Sequence, residues 1–419
     1  MTRSSEHRRW SAATTQGRLA VAACAAAGLL TVTACTGTTT HAPPAAAAPT
    51  PSPSTSVREL TPALSSQLDK AVQQTLKQAG VPGVTVGLWL PGKGTYVRSF
   101  GVADKDTGAA MSENLHVRIG SGTKTFTVTG LLRLVDAGRV GLDDPISKYV
   151  DDVPNGDRIT LRQLAEMRSG LFSYSDDPDF DKAFLSDPDR KFTPQQLLDY
   201  AFKHPPLFAP GQKFNYSNTN LILLGLVIEK VSGQPLGDFL KQQVIEPAGL
   251  RNTVFPKGTE FPDPHAQGYT VQTPNGEVAN ATNWDPSWAW AAGAIISDLQ
   301  DLRKWAPILA TGTLLEPATQ RQRLRMLPTG YPGTAYGLGI FTTNGWIGHN
   351  GSLPGYESVT VYLPSAKATL VILTNADFIY KGSENSTLFA QAITRIVTPD
   401  NVYALPPSAP SSPSPSPSA

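Results

Sequence analysis

Ser121-Gly-Thr-Lys124 opens a run in which Phe126, Val128, Leu131, Leu132, Leu134 and Val135 recur at helical spacing, with Ile119-Gly120 before it. It is the only Ser-x-x-Lys in the chain. Residues three apart on a helix share a face, so the Lys124 amine lies beside the Ser121 hydroxyl. A serine hydroxyl is a poor nucleophile without a neighbouring base. Lysine serves as that base only where desolvation or nearby positive charge favours its neutral form. A helix start adds positive potential and free N–H groups able to hold an oxyanion. An isolated Ser-x-x-Lys is more often a plain helix start with a capping serine, and two further motifs decide against that reading.

Tyr216-Ser-Asn218 is the only Tyr-x-Asn and follows a turn at Pro210-Gly211. Behind it runs Leu221-Ile-Leu-Leu-Gly-Leu-Val-Ile228, apolar on all sides and therefore a buried helix. A phenol at this place can relay a proton, and an Asn amide can donate to a substrate carbonyl and hold a lysine. The third motif is His349-Asn350-Gly351 within Gly348-His-Asn-Gly-Ser-Leu-Pro-Gly355, followed by strand-like segments at 358–363 and 369–374. Its glycines let a backbone edge approach a ligand closely. The imidazole would supply a hydrogen bond or positive charge to the substrate or to the nucleophile's base.

Taken together, these motifs resemble the penicillin-recognising serine hydrolases, whose order is Ser-x-x-Lys, Tyr-x-Asn, then a cationic or His-x-Gly strand. Tyr-x-Asn is similar to the class C β-lactamases, DD-carboxypeptidases and related esterases, and differs from the Ser-Asp-Asn and Lys-Thr-Gly of class A enzymes. His-x-Gly in place of Lys-Thr-Gly points to the carboxypeptidases and esterases. Arg139-Val-Gly-Leu-Asp-Asp-Pro-Ile146, Ile159-Thr-Leu-Arg-Gln-Leu164, Ala292-Gly-Ala-Ile-Ile-Ser297 and Tyr336-Gly-Leu-Gly339 also look like this family. The chain departs from it at Met167-Arg-Ser-Gly170, where many relatives have His-Thr-Ser-Gly, and at Asn350, where a small residue or Thr is commoner. Both departures bear on groove shape.

The resemblance implies an α+β fold of the β-lactamase/transpeptidase kind: an antiparallel sheet flanked by helices, with an inserted all-helical lobe and the site in the groove between. It implies Ser121 as nucleophile, with Lys124 and Tyr216 sharing acid and base work in an order the sequence leaves open. Asn218 would orient the substrate amide and Lys124. His349 would favour an anionic Tyr216 or meet a substrate carboxylate. Gly351 would allow close backbone approach, and the N–H groups of Ser121 and Ser352 would form the oxyanion hole. Trp288, in a cluster with Trp284 and Trp290, could wall the groove or pack in the core. No metal or cofactor is needed. A D-alanyl-D-alanine carboxypeptidase or esterase is the leading expectation, with peptidoglycan stem peptides as possible substrates and β-lactams as possible inhibitors. The alternatives are a β-lactamase or a tethered non-catalytic binding protein. An α/β-hydrolase is set aside for want of a Gly-x-Ser-x-Gly elbow.

The chain has 419 residues, about 40% hydrophobic, enough for one large domain. Its start carries Arg3, Arg8, Arg9 and Arg18 before an Ala-rich apolar run from Leu19 to Ala34, too short for a membrane span of about 20 residues. It reads as a secretory signal over 1–34. Val32-Thr-Ala-Cys35 looks like a bacterial lipobox, which implies lipidation of Cys35, anchorage to the membrane and an extracytoplasmic location. Cys24 falls inside the signal, so the mature domain lacks thiols, excluding disulfides and a Cys nucleophile. The four arginines and Glu6 leave with it, giving 31 basic and 33 acidic residues, a balance with no nucleic-acid surface. Residues 35–58 read as a Thr/Ala/Pro/Ser tether, 59–398 as the hydrolase domain and 399–419 as a Pro/Ser-rich tail. Within the domain the pattern predicts a helix over 62–79, capped by Thr61 and stopped by Gly80, a strand hairpin over 84–90 and 95–100, and helices over 161–168, 194–202, 218–231, 236–248 and about 386–397. With the late strands at 358–363 and 369–374, strands at both chain ends and helices between argue for one sheet built from the two ends.

Overall fold

The computed structural model describes residues 56–406. The signal, Cys35 and most of the tether and tail lie outside them. The main sheet has eight strands, numbered here in chain order: β1 (Gly83–Leu90), β2 (Gly94–Gly101), β3 (Leu327–Pro328), β4 (Thr334–Tyr336), β5 (Phe341–Thr343), β6 (Trp346–Leu353), β7 (Tyr356–Leu363) and β8 (Ala368–Thr374). Their spatial order is β2-β1-β8-β7-β6-β5-β4-β3, with every neighbouring pair antiparallel. The N-terminal hairpin thus joins the C-terminal strands, and the helical residues between them form a separate layer, as the pattern of strands at both chain ends implies.

All eight residues of β1 and all seven of β8 are buried, because helices cover both faces. Side chains alternate faces along a strand. Tyr96, paired with Leu88, donates to Asp69 of the Pro62–Ala79 helix at 2.9 Å, so the even-numbered face of β1 meets that helix. On the odd face, a Cβ at Gly87 would lie 3.0 Å from Leu299, the first residue of the Leu299–Thr311 helix. The Pro62–Ala79 helix begins as its sequence indicates, with Thr61 accepting from the Leu64 N–H, Pro62 in the first turn and Gly80 at φ 67° ending it.

Several elements differ from the sequence reading. The helix expected over 161–168 stops at Ala165, because Met167 turns to φ 59°. The helix expected over 236–248 is an α-turn, Leu236–Leu240, running into a π-turn, Lys241–Ile245. Helices at Pro178–Ser186, Leu299–Thr311 and Pro317–Arg323 were not anticipated. The second of these carries an internal Pro307 that obscures its Leu299, Leu302, Trp305 and Leu309 stripe. The expected tail boundary at 399 also shifts. Tyr403 is buried, its N–H donates to Thr394 at 2.9 Å, and the Trp346 indole donates to the Asn401 carbonyl at 2.7 Å. Nearby, Ser56 Oγ donates to Asp400 at 2.5 Å and the Arg58 N–H to the Val397 carbonyl at 3.0 Å, so both ends of the described chain meet at one seam. No helix among the described residues is long and apolar enough to cross a membrane.

Candidate active site

Ser121 stands in a tight turn, Gly120–Gly122, that feeds the Thr123–Asp136 helix. Gly120 has φ +51°, and a Cβ there would lie 2.7 Å from the Ser352 nitrogen. A Cβ on Gly351 would lie 1.9 Å from the Ile119 carbonyl oxygen and 2.8 Å from the Ser121 nitrogen. The turn and strand β6 therefore meet backbone to backbone, which only glycines at both places permit. Ser358 Oγ donates to the Ile119 carbonyl at 2.9 Å and fixes the turn against β7.

The segment from Ala291 to Ile295 holds the helix from its other side. Lys124 Nζ is 2.8 Å from Ser121 Oγ and donates to the Ala292 carbonyl at 2.9 Å. Thr127 donates to the Ala291 carbonyl at 2.7 Å, and Thr123 Oγ1 accepts from the Ile295 N–H at 3.0 Å. Lys124 is fully buried, with no carboxylate in ion-pair contact among the described residues. Desolvation alone pulls its amine well below the usual lysine range, so the neutral form is favoured and can accept the Ser121 proton.

Tyr216 and Asn218 reach the same place from the loop before the Thr219–Ser232 helix. Lys124 Nζ sits 4.9 Å from the centre of the Tyr216 ring. Burial of the phenolic end raises the Tyr216 pKa above the ordinary phenol value, against a smaller opposing effect from Ser121. Tyr216 is therefore a neutral phenol, although the residue as a whole is 37% exposed. The unusual Met167-Arg168-Ser169-Gly170 turn carries this loop. The Asn215 N–H donates to the Met167 carbonyl at 2.9 Å, the Gly211 N–H to the Arg168 carbonyl at 2.8 Å, and Ser169 Oγ to Asn220 at 2.6 Å. Asn218 donates through Nδ2 to Ser175 at 3.1 Å, and its Oδ1 is buried with no hydrogen-bond partner. The expected Asn218–Lys124 bond is not formed, since Ser121 and the Ala292 carbonyl take the amine.

Strand β6 pairs with β7 along its length but with β5 only at Trp346 to Gly348, leaving 349–353 open toward Ser121. The β6–β7 hairpin turns through Pro354-Gly355, so Leu353 and Tyr356 exchange hydrogen bonds and Ser352 opposite Glu357 does not. The Ser352 N–H consequently points away from β7, toward the turn at Gly120. Together with the Ser121 N–H, it forms a pair of donors flanking the nucleophile.

His349 requires a correction. It is 2% exposed, and burial with the neighbouring Lys124 pushes its pKa down to about 3, so it is no cation at neutral pH. Its Nδ1 lies 2.6 Å from the Asn350 carbonyl, which can only accept, so Nδ1 carries the proton. Nε2 then accepts from the Tyr336 hydroxyl at 3.0 Å. With both nitrogens taken, His349 positions Tyr336 and neither meets a carboxylate nor favours an anionic Tyr216. Tyr336 is a groove residue to which the sequence alone assigned no role. It lies in the quoted Tyr336-Gly-Leu-Gly339 stretch and lines the groove with its ring edge-on to Tyr216.

Trp288 is also placed elsewhere. Its ring packs 5.0 Å from Phe184 and 6.1 Å from Phe180, and its carbonyl accepts from Tyr174 at 2.6 Å. It does not line the groove, which encloses about 730 Å³ and is bordered by Ser121, Tyr216, Asn218, Tyr336, Asn350 and Ser352. A larger cleft of about 1020 Å³ between Leu236 and Phe255 contains none of the motif residues.

A serine, a buried lysine whose neutral form is favoured, a phenol and two backbone donors around one groove define a serine hydrolase. Residues 68–388 match the Beta-lactamase family model, and the chain belongs to that family. Among solved structures it is similar to a D-stereospecific amidohydrolase from Streptomyces sp., at 32% identity and TM-score 0.71, covering 79% of this chain and 97% of that one. It is likewise similar to the D-amino acid amidase from Ochrobactrum anthropi SV3 complexed with D-phenylalanine, at 28% identity and TM-score 0.69 over 78% of this chain and 98% of that one. Protein flp of Staphylococcus aureus (strain N315) is 28% identical over 336 residues, 77% of this chain; the match spans 65% of the length of that protein.

Proposed function

We propose that the protein hydrolyses amide or peptide bonds adjoining D-amino acid residues, outside the cytoplasm, through an ester formed on Ser121. The observation that carries this reading is the fully buried Lys124 amine 2.8 Å from Ser121 Oγ. The Ser121 proton passes to Lys124 Nζ as Oγ attacks the carbonyl carbon. The oxyanion rests on the Ser121 and Ser352 N–H groups, and one such donor is typically worth about 10²–10³ in turnover. The proton then reaches the leaving nitrogen by way of the Tyr216 hydroxyl, the carbon–nitrogen bond breaks, and water hydrolyses the ester with the same groups acting in reverse. The D-configuration is supported by the similarity to a D-stereospecific amidohydrolase and a D-amino acid amidase. D-Alanyl-D-alanine carboxypeptidase and esterase activities are forms of this same chemistry, and β-lactam hydrolysis differs from it in how fast water reaches the ester.

The test is intact-protein mass spectrometry after exposure to a fluorophosphonate, to D-amino acid amides and to a penicillin. The wild type gains one adduct on Ser121 and releases product from D- but not L-amides. Equal labelling of wild type and Ser121→Ala would remove the assignment. With nitrocefin, slow stoichiometric acylation fits the proposal, whereas rapid multiple turnover makes the protein a β-lactamase.

A further inference from the structure

The charge lining of the groove is one-sided. Among the described residues that border it, Glu384 is the only Asp, Glu, Lys or Arg, and Lys124 lies behind Ser121 rather than in the wall. Glu384 stands at the start of the Asn385–Val397 helix and accepts from Asn350 Nδ2 at 2.6 Å. Asn350 and Ser352 are two residues apart on β6 and share a face, about 7 Å apart, so the carboxyl lies along the strand from the oxyanion donors. No Lys, Arg or His pairs with it among the described residues.

A second acid stands behind it. Glu357, fully buried on β7, accepts from the Ser386 N–H at 2.8 Å, but its Oε1 has no partner. Burial disfavours charge on both carboxyls, and Glu384 adds repulsion at Glu357. A cation entering the groove offsets both costs, and a carboxylate entering it adds to them.

We infer that Glu384, held by Asn350, is a specificity-determining residue that receives a substrate ammonium group and turns away substrates presenting a carboxylate there. This rests on the serine hydrolase reading above and narrows it to D-amino acid amides, esters or short peptides with a free amine. Substrates ending in a free D-alanine carboxylate are disfavoured.

The experiment compares three substrates: D-phenylalanine amide, its N-acetyl derivative, and N-acetyl-D-alanyl-D-alanine. For the wild type, kcat/KM is highest for the free amine and lowest for the carboxylate. Glu384→Gln collapses the ratio of amine to N-acetyl substrate about 10–100-fold, chiefly through KM, the scale of one hydrogen bond to a charged group. Glu384→Asp keeps part of the ratio, and Glu384→Lys shifts preference toward the carboxylate. A wild type that prefers the carboxylate, or an unchanged ratio in Glu384→Gln, overturns the inference. If Glu384→Gln does not fold, the wild-type ranking and Glu384→Asp decide by themselves. Absence of any fluorophosphonate adduct on wild-type Ser121 would instead overturn the underlying reading, so the two failures are distinguishable.

Discussion

At the residue scale, the chemistry depends on keeping one lysine dry. Burial favours uncharged Lys124, so the acid limb of the kcat/KM profile falls well below 10.5, the ordinary lysine value. Activity rises with pH as that amine loses its proton. His349, at about 3, and the neutral Tyr216 contribute no step between pH 5 and 8. An acid limb found near 10 would mean that the amine is hydrated. Lys124→Arg puts a permanently charged guanidinium in the slot and is expected to cost about 10²–10⁴-fold in kcat with the Ser121 side chain still present. Tyr336→Phe strands His349 Nε2 as a buried acceptor and should cost about 1–3 kcal/mol of unfolding free energy in urea. An unchanged stability would show that the pair is not formed in solution.

At the scale of elements, the contact between the Ser121 turn and β6 is a backbone contact, and Gly351→Ala tests it directly. The added methyl meets the Ile119 carbonyl and the Ser121 nitrogen, so strand and turn must separate and the two N–H donors move apart. The expected result is a 10²–10³-fold drop in kcat with a smaller effect on KM, measured on a variant whose circular dichroism matches wild type. Loss of kcat below threefold would show that the donors tolerate the shift. Such contacts also mark how far the sequence could be read. Ser121 and Lys124 were legible because short spacing makes them neighbours, whereas Tyr216, Asn218 and Ser352 were reached through the resemblance; Lys124 contacts Ser121, and the other four line one groove. The roles of His349, Tyr336 and Glu384 depend on register between strands and on burial, neither of which a single sequence displays. Trp288 was open between groove wall and core, and its ring packs against Phe180 and Phe184.

For the whole molecule, strands at both chain ends with helices between were enough to infer one sheet built from the two ends. The Leu299–Thr311 helix escaped because Pro307 interrupts its pattern, yet it packs against β1, β6, β7 and β8. The segment before Ser56 bears on where the enzyme works. The lipobox reading expects wild type in the membrane fraction and Cys35→Ala in the soluble or secreted fraction, with loss of palmitate incorporation. Retention of the variant on membranes would point to a different anchor.

The seam where Ser56 meets Asp400 and Arg58 meets Val397 has an engineering consequence. Because the two ends of the described chain already touch, a linker of a few residues could fuse them, and new termini could be opened at the exposed Gly276 turn. Such a circularly permuted enzyme would keep every strand neighbour while inverting the order in which the sheet's two portions leave the ribosome.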